Sequence, residues 1–131
     1  MYYTRKLYIN NELVTEVKLT TATKISAYAF YICSGLTSVT IPDSVTSIDR
    51  YAFANCSRVK KVYYKGTIKQ WNNISIASDN SYLTSATRYY YSETVPALNA
   101  DKTDYDGNYW HYDTDGVTPV IWKKENYFLA I

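Results

Sequence analysis

Polar and apolar residues alternate from Ser38 to Ile41, with Val39 and Ile41 apolar and Ser38 and Thr40 polar, and Pro42 follows. A period of two marks a strand with one face turned inward. Pro42, which has no N–H to give a ladder, ends it. Val45 and Ile48 then mark an apolar return arm. Asp49 stands where it can cap one helical turn over residues 50–53, with Ala52 and Phe53 aimed at a core, and Ser26 can cap the equivalent turn over 27–30. Neither the strand nor the arm buries enough apolar surface alone, so both must be parts of a larger stack.

The stack is announced by a repeat. Residues 25–41 laid over residues 48–64, a shift of 23, pair Ile25 with Ile48, Tyr28 with Tyr51, Ala29 with Ala52, Phe30 with Phe53, Cys33 with Cys56, Ser34 with Ser57 and Val39 with Val62. Continued backwards, the shift puts Asn10 under Cys33, Leu13 under Leu36 and Leu7 under Phe30. After a one-residue slip, Val17 and Leu19 match Val39 and Ile41. A period in this range with L-x-x-V-x-I spacing is that of a leucine-rich repeat solenoid. The predicted fold is mostly β with short helical turns, about 2.5 coils of 23 residues. Phe30 stacks on Phe53 in one column, and Leu13, Leu36 and Val59 form another.

So short a stack needs its end closed. Thr67 and Gln70 have capping-box spacing, and Ile68, Trp71 and Ile74 recur on one helical face, so residues 67–74 read as a closing helix. Residues 86–93 read as a strand. Residues 109–112 and 118–122 flank Asp115-Gly116, a hairpin turn signal. The resulting division is coils over 1–66, a capping segment over 67–96, a polar linker over 97–108, and a β-hairpin and tail over 109–131. Residues 123–131 fit no repeat.

The stretch from Tyr28 to Ser57 (YAFYICSGLTSVTIPDSVTSIDRYAFANCS) resembles the BspA-type leucine-rich repeat, whose unit runs roughly C-s-x-L-x-x-V-x-I-P-x-x-V-x-x-I-x-x-x-A-F. KGTIKQWNNISI and ATRYYYSETVP are similar to the segment that commonly closes such arrays. The resemblance implies a bacterial, secreted or surface-displayed, non-enzymatic protein that adheres to host proteins or other cells. Leu19-Thr20 stands where the second coil has Ile41-Pro42, and the array is short, as in a longer array that was truncated or in the C-terminal end of one. No apolar h-region follows Met1, so the expectation is either a cytoplasmic chain or a fragment of an exported protein without its signal peptide. The resemblance favours the fragment.

Composition narrows the chemistry. Fourteen Lys and Arg against twelve Asp and Glu leave a net charge of +2 scattered along the chain, which is no footprint for nucleic acid. No apolar run is long enough to insert into a membrane. The single His111 sits in an aromatic strand with no Ser or Asp marked to join it in a triad, and Glu93, Glu125 and the Asp cluster fall in loop or tail, poor ground for paired-carboxylate chemistry. Asp101, Asp104, Asp106 and Asp113 surround Gly107, but setting Gly107 at the sixth position of a calcium loop puts Lys102 first, where a carboxylate is needed. No cofactor or metal is expected, and Asn55 and Asn73 match the glycosylation sequon by spelling alone. Cys33 and Cys56 occupy one place in successive coils, with parallel side chains that suit two buried thiols better than a bridge.

Recognition is what remains. The outward strand positions form two rows, Glu16, Ser38 and Lys61 in one and Lys18, Thr40 and Tyr63 in the next, and these six are the expected contacts for a host or bacterial surface protein. The alternative is a carbohydrate platform on the hairpin made of Tyr109, Trp110, Tyr112 and Trp122. Open solenoid ends are expected to allow self-association.

Overall fold

A computed structural model describes residues 8–124. Its elements, in chain order, are β1 (Tyr8–Ile9), β2 (Glu12–Leu13), β3 (Glu16–Lys18), β4 (Lys24–Ile25), β5 (Ser38–Pro42), β6 (Ser47–Ile48), β7 (Lys61–Lys65), α1 (Ile68–Asn72), β8 (Ser75–Ile76), α2 (Ser81–Ser85), β9 (Thr87–Tyr91), β10 (Tyr109–Tyr112) and β11 (Pro119–Ile121). A front sheet runs β11-β10-β9-β7-β5-β3, and a back sheet runs β4-β6-β8. Within these two sheets all pairings are parallel except β10 with β11, and β1 and β2 form a separate antiparallel pair. Each coil therefore gives one strand to the front and one to the back, as a repeat solenoid does.

Alternation along the strands decides what lies between the sheets. Val17, Val39 and Val62 share one register row and Ile41 faces Tyr64 in another, while Ile25 and Ile48 meet across the back sheet. Val39, Ile41, Ile48, Val62 and Tyr64 are fully buried, as are Ala52 and Phe53. The Phe30 and Phe53 rings stack at 5.1 Å, as their repeat positions predict. In the leucine column Leu36 and Val59 are buried, but Leu13 is 39% exposed at the open end, where it lies against Gly35. Leu7, its supposed companion beneath Phe30, lies outside the described residues.

Three local expectations change. Asn10 and Asn11, with φ of 51° and 66°, form the two-residue loop of the β1–β2 hairpin. This is the left-handed pair that such a turn requires, and it removes Asn10 from the cysteine column. The turns over 27–30 and 50–53 are not helical, because Tyr28 and Tyr51 both have φ of 61° and a left-handed residue breaks the α path. The corner is built from successive tight turns instead, with Ala52 N donating to Asp49 O, Ala54 N to Tyr51 O and Cys56 N to Phe53 O. The Asp49 carboxylate pairs with Lys24 of the coil before at 3.1 Å.

The third change concerns where the stack ends. Front strands advance by 22 residues from Glu16 to Ser38, by 23 from Ser38 to Lys61 and by 26 from Lys61 to Thr87. Residues 67–91 therefore complete a third coil and begin a fourth, lengthened by α1. That helix opens with the capping box, Gln70 N donating to Thr67 Oγ1 at 3.2 Å and Thr67 N to Gln70 Oε1 at 2.8 Å. Trp71 and Ile74 are buried, whereas Ile68 is 52% exposed, since the single turn meets the core only through its far side. Asn80, buried in the third corner, ties the coils together. Its Oδ1 accepts from Phe53 N at 2.9 Å, and its Nδ2 donates to Asp49 O at 3.0 Å and Ala77 O at 3.1 Å.

Residues 97–108, the stretch expected as a polar linker, form a hydrogen-bonded loop. Leu98 and Tyr105 make an antiparallel bridge, and Asp106 N donates to Ala97 O at 2.8 Å. The loop returns the chain so that β10 lies parallel to β9, and β11 turns back on it through Gly116 at φ 69°.

Candidate functional site

The outward face of the front sheet is the surface that the repeat makes regular. Glu16, Ser38, Lys61 and Thr87 align in one row, and Lys18, Thr40, Tyr63 and Tyr89 in the next. The structure thus brings the six expected contacts onto one face and extends each row by one residue from β9. Glu16, Lys18 and Lys61 are exposed, and Ser38 and Tyr63 are half-buried. Thr40 is 7% exposed and offers little surface, because its short side chain sits in the trough between Lys18 and Tyr63.

At the β9 end this face becomes aromatic. Tyr63 and Tyr89 stack at 5.7 Å, and Trp110 meets Tyr63 edge-on at 5.7 Å, Tyr91 at 5.1 Å and Tyr112 at 4.9 Å. Trp110 is completely buried, and its Nε1 donates to Tyr64 O at 2.8 Å. Lys65 Nζ lies 5.4 Å from the Tyr91 ring centre and 5.2 Å from that of Tyr112, a cation between two π faces. Burial, with the neighbouring Tyr89 and Glu16 adding to it, pushes the Tyr63 hydroxyl above its ordinary pKa of 10.0, so it stays a neutral donor.

The hairpin aromatics do not make a platform. Strand alternation sends Trp110 and Tyr112 to one side and Tyr109 to the other, where Trp122 joins it by pairing. Trp110 has no free face, and the Trp122 Nε1 is spent on Ser92 O at 2.8 Å. His111 packs on Trp122 with ring centres 4.3 Å apart and holds Tyr112 O through Nδ1 at 2.8 Å, so the ring has a structural partner on each side.

The acidic loop is engaged with its own backbone. Asp101 accepts from Thr103 N and Oγ1, and Asp104 from Tyr105 N and Lys124 N. These bonds hold both carboxyls below their usual pKa. Among the described residues no group of three or more His, Cys, Asp or Glu side chains could hold a metal ion. Cys33 and Cys56 are both buried thiols not joined by a disulfide. The Cys56 Sγ donates to Phe30 O at 2.9 Å, and burial pushes its pKa from 9.0 to about 11.

Sequence reasoning missed Tyr89 and Asn80. Tyr89 is readable in retrospect, because the Lys61↔Thr87 register adds a fourth strand to each row. Asn80 gives no such signal, since one Asn among loop residues looks like any other.

No curated protein and no solved structure matches the chain. The family model for the BspA type leucine rich repeat region does match, over residues 5–94. That span contains the coils, the capping box and β9, and the chain belongs to the BspA-type leucine-rich repeat family.

Proposed function

We propose that this protein is a non-enzymatic module of a bacterial surface or secreted protein, and that it adheres to a protein partner through the outward face of its front sheet. Leucine-rich repeat families of this kind generally serve protein interaction, which supports the class of function. The observation that carries the location is the Tyr63–Tyr89 stack seated on the buried Trp110. Two large side chains are already immobilised there, so a partner loses little rotamer entropy in meeting them. Lys61, Lys18 and Glu16 beside the stack give the face a mixed polar rim, as interaction surfaces have. With few coils the contact is small, and affinity in a longer array would grow by repetition across linked sites.

The test is a pull-down from host extracellular proteins, followed by titration of the captured partner with wild type and the Tyr63→Ala, Lys61→Ala double variant. The expected result is at least about a tenfold loss of affinity in the variant. Unchanged affinity would move the binding surface off the front sheet.

A further inference from the structure

The corner side of the stack carries a feature that the front face does not use. Back strands align as Lys24↔Ser47↔Ser75, and four residues beyond each stand Tyr28, Tyr51 and Asp79. All three hold the left-handed backbone, with φ of 61°, 61° and 66°, a conformation that bulky L-residues rarely adopt. Rare backbone geometry of this kind tends to cluster where function demands it. Tyr28 and Tyr51 stack at 5.2 Å with planes 23° apart, and Tyr31 meets them edge-on at 5.2 and 6.5 Å. Where a third ring would continue the column, the chain has a carboxylate.

These residues line a groove of about 810 Å³, within the range of small-molecule sites, and Tyr82 of α2 lines it too. Tyr28 is 50% exposed and Tyr82 is 43% exposed. Asn55, also in the groove and exposed, makes no side-chain hydrogen bond among the described residues.

We propose that this groove binds a short neutral oligosaccharide. A pyranose ring has an apolar C–H face and a rim of hydroxyls. The tyrosine faces match the first, while the Asp79 carboxylate and the Asn55 amide match the second, one accepting from hydroxyls and the other both donating and accepting. Charge favours a neutral ligand: the Arg50 guanidinium lies 4.9 Å over the Tyr51 ring with its Nε 3.9 Å from Asp79, so cation and anion offset each other. A peptide adding along the corner is disfavoured, because its backbone is already paired from coil to coil. Phe30 N donates to Ala52 O at 2.7 Å and Ile32 N to Ala54 O at 2.8 Å. Recognition must therefore come from side chains, as it does for a sugar.

The experiment titrates the full chain with cellotetraose, tetra-N-acetylchitotetraose and mannotetraose, read by calorimetry and by saturation-transfer NMR. Saturable binding of at least one is expected, with magnetisation transferred from tyrosine ring protons. Tyr28→Gly and Asp79→Gly should each weaken it about tenfold or more. Glycine suits the positive φ at both positions, so the fold is retained and circular dichroism should match wild type. Tyr63→Ala, on the front face, should leave saccharide affinity unchanged. The proposal is overturned if none of the three binds at millimolar concentration, or if binding survives both glycine variants. It is overturned equally if those variants abolish capture of a protein while no saccharide binds.

Discussion

The coils between Ile25 and Tyr64 and the end between Thr87 and Trp122 are built on different principles. In the coils like stands on like: Ile25 beside Ile48, Val39 beside Val62, Phe30 on Phe53. At the end, side chains with polar tips reach main-chain carbonyls far along the chain, Trp110 to Tyr64 O and Trp122 to Ser92 O, each at 2.8 Å. Even the inward row changes character, since Val17, Val39 and Val62 are followed by Arg88, whose guanidinium lies 4.4 Å from the Trp71 ring centre. A repeat extends by apolar columns, and columns have no natural stop. Closing one takes residues that are apolar on the core side and polar on the other, which aromatics and Arg are.

The largest expected effect breaks the coil side of this comparison. Phe53 is fully buried and stacked on Phe30, so Phe53→Ala should cost about 3–5 kcal/mol, as truncation of other buried aromatics does. Because each coil is stabilised only by its neighbours, the loss should be global. Chemical denaturation should show one cooperative transition moved far toward water. A variant that loses only the hairpin signals while the coils keep their midpoint would refute the column account.

The end should break differently. Trp110→Phe keeps an aromatic ring in place but removes the indole N–H, leaving a buried carbonyl without that donor at a cost of about 1–3 kcal/mol. Amide exchange should accelerate in β10 and β11 while β5 and β7 keep their protection. Equal acceleration everywhere would mean that the two regions form one cooperative unit.

How far each region could be read in advance follows the same division. The coils were legible because a shift of 23 repeats the residues themselves, and the capping box because Thr67 and Gln70 have a spacing with one mechanical use. The third coil was hidden because α1 lengthens it, so that β8, only two residues long, falls out of phase. With the observed register, Asp79 and Asn80 fall where Tyr51 and Ala52 stand, and the tie from Asn80 to Phe53 N becomes intelligible. For the candidate face, alternation groups the residues in the same two rows that the strand register aligns. It could not show that Thr40 lies in a trough, nor that Trp110 is an anchor under the surface, because exposure depends on what the next strands lay over a residue.

The two regions should also answer to opposite ends of the pH scale. In the coils the Cys56 thiol is held neutral by burial up to about 11, whereas in the unfolded chain it ionises near 9.0. Its contribution to stability is complete below pH 9 and falls as pH rises toward about 11, because only the unfolded chain releases the proton in that window. Cys56→Ala, whatever its baseline stability, should lose less on going from pH 9 to pH 11 than wild type does. Cys56 should also resist thiol reagents until the chain unfolds. Rapid native-state labelling at neutral pH, or identical alkaline slopes, would contradict this.

The smallest effect belongs to the hairpin turn. The Asp115 carboxylate accepts from the Thr118 hydroxyl and, at 2.8 Å each, from Thr118 N and Val117 N, and these bonds hold its pKa at about 2, below the ordinary 3.8. A depressed carboxyl contributes its stabilisation fully above pH 3.8 and loses it as pH falls through about 2, since protonation then removes charge that the amides were solvating. Asp115 is exposed, so the effect should be confined to the turn. Amides of Trp110 to Ile121 should exchange faster as pH is lowered through that window, after correction for intrinsic rates, and Asp115→Asn should show the faster exchange already at neutral pH. Protection in β5 and β7 should not follow, because none of the bonds that Asp115 accepts comes from the coils. If the coil amides open in step with the turn, the closing end and the column it closes are coupled more tightly than their separate hydrogen bonds imply.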